Sequence, residues 1–142
     1  KKFDVIQVEG GKNFKSFSYH IPGDISSAAF FIVLTILNKK SSLIIKNINI
    51  NPSRIGMIKI LNLMGSKISF HNKKKYKGEV VGDIHVKSVK KFKSINCPKK
   101  FNSSAIDEML LLFLVSSVAK GPSNRNLLEI VQIVAICWEW FK

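Results

Sequence analysis

Ile21-Pro-Gly-Asp-Ile-Ser-Ser-Ala-Ala-Phe-Phe31 constrains this chain more than any other stretch, because a turn, a capping acid and two hydroxyls lead straight into an apolar helix. Pro22-Gly23 ends whatever precedes it, and Asp24 accepts the first free amide protons of a helix predicted from near Ser26 to about Leu37. The amides of a helix start carry partial positive charge, and Ser26 and Ser27 add donors at the same point, so a phosphate or carboxylate can dock there. The plainer reading of Asp24 is a cap alone, with Ala28 and Ala29 serving close packing.

Around this start the pattern predicts alternating strands and helices. Phe3 to Val8 and Phe17 to Ile21 read as short strands, and Ser42 to Ile50, rich in isoleucine, as a longer one. Asn51-Pro52-Ser53 opens a second helix, with Ile55, Ile58, Leu61 and Leu63-Met64 at helical spacing and Gly65 as its terminator. Strands at Lys67 to Phe70 and Ile84 to Val86 flank Lys73-Lys74-Lys75, which reads as a solvated hairpin tip. Together these make one α/β unit over about residues 16–90. A second unit begins near Phe92, with a strand at Ser94 to Cys97 and a helix at Ala105 to Val118 whose apolar length predicts burial on most sides.

Two further positions carry chemistry. Arg54 falls in the first turn of the second helix, where a cation opposes the helix dipole and needs an acidic neighbour or a bound anion; an ordinary ion pair is the commoner answer. Asp107-Glu108 interrupts an otherwise apolar helix at its amino end, and a carboxylate there is either a cap or a working group. Beside cations and helix starts it is suited to accept a proton from a substrate hydroxyl. His20, His71 and His85 show no metal-ligand spacing.

Composition sets the outer limits. The 142 residues are 46% hydrophobic, enough for one packed domain, and the longest apolar run is shorter than the ~20 residues of a membrane span. Cys97 and Cys137 lie far apart and predict free thiols in a reducing cytoplasm, with neither a disulfide framework nor a zinc site. A net charge of +14 attracts polyanions, yet only Arg54 and Arg125 among the 23 cations are arginine, a poor set for reading bases. Compositional bias accounts for the excess better than a nucleic-acid surface does. The start, Lys1-Lys2-Phe3-Asp4, has neither an initiator methionine nor a signal core, so the chain is expected to begin inside a longer protein.

Taken in order, Pro22 through Phe30, Asn51 through Gly56, Met64-Gly65, Gly82-Asp83 and Ile106 through Glu108 resemble the motifs of the 5-enolpyruvylshikimate-3-phosphate synthases, over roughly Phe3 to Gly121. The resemblance implies an α/β (α+β) fold of repeated βαβαββ units, here an incomplete domain, with the active site in a cleft against an amino-terminal domain missing from this chain. It implies transfer of the enolpyruvyl group of phosphoenolpyruvate to the 5-hydroxyl of shikimate 3-phosphate, by a monomer, without metal or organic cofactor. By motif, Asp107 is the proton acceptor, and Glu108, Asp24, Ser26, Ser27 and Arg54 bind substrate or support the site. The family's Lys-Glu-[Ser/Thr]-Asp-Arg segment is not found. In its place stands a divergent 122–142, where Arg125 and Glu129 have the right chemistry in another setting, so this piece is expected to be inactive alone. The related enolpyruvyl transferase acting on UDP-N-acetylglucosamine lacks the Gly-Asp-x-Ser-Ser pattern and ranks second. A small basic module binding nucleic acid or protein ranks third, since neither an aromatic stacking pattern nor a groove-reading helix is visible.

Overall fold

Asp24 sets the first element. Its Oδ2 accepts the Ser27 amide at 2.8 Å and the Ser27 hydroxyl at 3.0 Å, and helix α1 runs from Ile25 to Leu37. The computed structural model describes residues 5–11, 13 and 15–119. The divergent segment 122–142, with Arg125, Glu129 and Cys137, lies outside them, as do Phe3 and Asp4.

Three antiparallel strands follow the isoleucine-rich pattern: β1 (Ser42–Asn49), β2 (Lys67–Tyr76) and β3 (Glu79–Lys87), in spatial order β1-β3-β2. Helix α2 (Gly56–Leu63) links β1 to β2, and Gly65 ends its turn at a φ of +100°, as expected of a terminator. Alternation sends Ile48, Ile68, Ile84 and Val86 to one face of the sheet. There they meet Ile32 and Ile36 of α1, and Met57, Ile60 and Leu61 of α2, each at most 1% exposed, to form the core. Helices α3 (Asn102–Ala105) and α4 (Met109–Ser117), joined by a 3₁₀ turn at Ile106–Glu108, complete it through Ala105, Met109, Leu112 and Val115.

Several expectations change. Residues 5–8 and 17–21 form no strand: the approach to α1 touches the outer edge of β1 at one point only, where Gly23 exchanges backbone bonds with Asn47 and Asn49. Residues 94–97 are irregular as well. Lys73 to Lys75 are not the hairpin tip but exposed residues of β2; the turn is Lys77-Gly78, both at positive φ, the twist that suits a two-residue hairpin.

Helix α2 starts at Gly56, not Asn51, because the Asn51 side chain is committed to the sheet: its Oδ1 accepts the Val80 amide at 2.9 Å and its Nδ2 donates to Glu79. The predicted helix 105–118 is broken at Ile106–Glu108, and it is not buried all round. Met109, Leu112 and Val115 face the core, while Ile106, Leu110 and Leu114 are exposed. No described helix is long and apolar enough to cross a membrane.

Candidate functional site

Three chain segments converge beside the amino end of α1. The first is α1 itself, which carries Ser26 in its opening turn. The second is the turn 52–54 ahead of α2, closed by the Arg54 amide on the Asn51 carbonyl at 2.8 Å, which points Arg54 back across the gap. The third is the 3₁₀ turn that presents Asp107 and Glu108. Without that break in the helix, the two adjacent acids would not reach their separate partners.

Four of the six residues singled out by sequence form one hydrogen-bonded chain. Arg54 Nη1 donates to Asp107 Oδ2 at 2.7 Å, and its Nη2 donates to Ser26 Oγ at 3.1 Å. The Ser26 hydroxyl in turn donates to Glu108 Oε1 at 2.5 Å. Asp107 is half exposed and Glu108 is buried at 4%, so the neighbouring acids occupy unlike environments. The acidic neighbour that Arg54 required is therefore Asp107, and Asp107 stands on the same rim as the start of α1.

Asp24 and Ser27 stand apart from this chain of contacts. Asp24 is spent on the cap, and the Ser27 N–H holds its carboxyl below the usual carboxylate range, with help from the Ser27 hydroxyl and the Arg54 charge. A group whose folded-state pKa is depressed adds stability above its unfolded pKa and loses it as pH falls through the folded value. Asp24→Ala is therefore expected to cost about 1 kcal/mol near neutrality. In chemical denaturation its gap from the parent chain should close below about pH 4.

A cleft of about 250 Å³ adjoins Arg54, lined also by Tyr19, Gly23, Asp24, Asn49 and Glu79. Glu79 escaped the sequence reading. It lies outside every motif and is tied into the site by Asn49 Nδ2 at 2.8 Å and by Asn51, whose place in the Asn-Pro-Ser-Arg motif was the only hint. Among the described residues no three His, Cys, Asp or Glu side chains gather where a metal would sit. Cys97 is a buried free thiol, its pKa raised by that burial.

Comparison with known proteins decides the family. The sequence profile of the EPSP synthases (3-phosphoshikimate 1-carboxyvinyltransferase) matches residues 2–131. The chain belongs to the EPSP synthase family. It is 42% identical over 112 residues to the 3-phosphoshikimate 1-carboxyvinyltransferase of Ruthia magnifica subsp. Calyptogena magnifica, covering 79% of this chain and 26% of that protein. The Petrotoga mobilis protein of the same name is 40% identical over 113 residues, 80% of this chain and 26% of its own. A solved EPSP synthase from Acinetobacter baumannii superposes with a TM-score of 0.70 at 37% identity, over 72% of this chain and 23% of that one. The chain thus spans about a quarter of the length of these EPSP synthases, and the three-stranded sheet with its helices is an incomplete domain of their fold.

Proposed function

We propose that this chain supplies one wall of an active site that moves the enolpyruvyl group of phosphoenolpyruvate to the 5-hydroxyl of shikimate 3-phosphate, in a cytoplasmic, monomeric enzyme that needs no metal or organic cofactor. Residues of about 16–90 are one unit of its domain and 92–121 the start of a second. The observation that carries the reading is the Arg54–Asp107 pair at the convergence of three chain segments, in a chain of this family.

The geometry supports the following roles. The 5-hydroxyl loses its proton as its oxygen bonds to the central carbon of phosphoenolpyruvate, whose carbon–carbon π bond opens while the terminal methylene takes up a proton; the tetrahedral adduct then expels phosphate as the new methyl group gives up a proton and the double bond re-forms. Asp107 is the acceptor of that hydroxyl proton: among the described residues only its Oδ2 is engaged, by Arg54, and half of the side chain faces solvent. Arg54 is a positioning residue, held from its other prong by Ser26, which the buried Glu108 orients. Asp24 and Ser27 fix the start of α1 and hence where Ser26 stands. The remaining substrate contacts, those of the other domain and of the family's Lys-Glu-[Ser/Thr]-Asp-Arg segment among them, are not supplied by the residues assigned here, so the chain alone is expected not to turn over.

A chimera tests this. The chain replaces the segment it matches in the Acinetobacter baumannii enzyme, and phosphate release is followed with both substrates present. Release above background supports the assignment. A chimera that unfolds cooperatively and releases no phosphate overturns it.

A further inference from the structure

The sheet face turned away from α1 and α2 carries a second cluster of charge. His71 and His85 lie diagonally across the β2–β3 pair with ring centroids 3.9 Å apart and planes at 28°, a stacked arrangement. The Ser69 hydroxyl is 2.9 Å from His71 Nε2 and fixes that ring. A cavity of about 600 Å³ opens beside the pair, walled by Asn62, Ser66, Lys67, His71, His85 and Lys87 among others, and no carboxylate lines it. Ser66, 8% exposed, holds a buried hydroxyl with no hydrogen-bond partner among the described residues. A buried polar group in this state is uncommon and marks the floor of the cavity as polar.

We infer that this cavity is an anion site for a small phosphate dianion, free or as the end of a phosphomonoester, held by Lys67, Lys87 and the His71–His85 pair. Electrostatics select an anion over a metal cation, because two ammonium groups share the wall with the imidazoles. The charges facing the pair are Lys67 on β2, and Lys87 and Asp83 on β3. Asp83 is the opposing charge, but it lies outside the cavity wall and its oxygens are taken by the Asn47 amide at 2.9 Å and the Asn72 side chain at 2.8 Å. From α2 only the neutral Asn62 reaches the cavity, with its amide group already bonded to the Ile68 backbone. A dianion seated in the cavity beside the stacked rings is drawn by the ammonium groups of Lys67 and Lys87 and can accept hydrogen bonds from the imidazole N–H groups.

The test titrates inorganic phosphate into the full chain while the imidazole proton resonances of His71 and His85 are followed. Both should move together on one saturable curve. Replacing both rings, His71→Gln with His85→Gln, should weaken binding about tenfold or more. Lys73→Ala with Lys75→Ala removes two cations from the same strand outside the cavity and should leave the curve unchanged. Repeating the titration with glycerol phosphate separates the two sources: competition at the same site identifies the ester end as a ligand, and its absence identifies free phosphate. Non-saturating shifts, equal weakening by the two lysine replacements, or imidazole shifts produced by zinc ion but not by phosphate would overturn the assignment.

Discussion

Asp107→Ala, introduced into the chimera that carries this chain in an EPSP synthase, is expected to lower turnover by roughly two to four orders of magnitude, the share that a positioned general base contributes. Stability should scarcely change. Among the described residues the only bond that Asp107 makes is to Arg54, and the two side chains are 50% and 46% exposed, so their ion pair is worth about 0–1 kcal/mol. Asp107→Asn separates the two roles more sharply. The amide keeps the shape and an oxygen for Arg54, yet it cannot take a proton at neutral pH, so it should lose turnover as fully as alanine does. Unimpaired turnover in the asparagine variant, or a loss in the alanine variant matched by loss of folded protein, would remove Asp107 from the chemistry.

What could be read from the sequence was local. The Asp24 cap, the span of α1, the Gly65 stop and β1 all follow from side chains acting within one turn of themselves, and each stands as expected. The misreadings come from groups whose partners lie far along the chain. Asn51 reads as a helix cap until Val80 and Glu79 claim its side chain from nearly thirty positions away. Residues 17–21 look like a strand because their composition suits one, but a strand needs a neighbour, and Gly23 offers β1 a single bridge.

The candidate site shows the same division. Each residue type was visible in its motif, and the need of Arg54 for an acid was visible too. That one guanidinium would join Asp107 to Ser26, and Ser26 to a buried Glu108, depends on contacts spanning 53, 28 and 82 positions. The break of the last helix at Ile106–Glu108 has no signal in an apolar run. It arises where α3 packs against α2 while α4 packs against both α1 and α2.

Gly56→Ala should destabilise the fold by about 3 kcal/mol, the upper part of the usual range for overpacking, because the obstacle is backbone. A methyl group at Gly56 would sit 2.6 Å from both the carbonyl carbon and the carbonyl oxygen of Ser104, closer than real contacts allow. A flexible side chain could turn aside, but here the start of α2 or the whole of α3 must move. The backbone angle at Gly56 is not the reason for glycine, since alanine suits a helix better; the reason is space. This contact fixes the distance between the turn bearing Arg54 and the segment bearing Asp107, so the variant should also loosen their 2.7 Å pair. Urea denaturation should show the lower midpoint, and turnover of the chimera should fall even at temperatures where the variant stays folded. An unchanged midpoint would mean that α2 and α3 slide past one another freely. The close approach would then not be what holds Arg54 against Asp107.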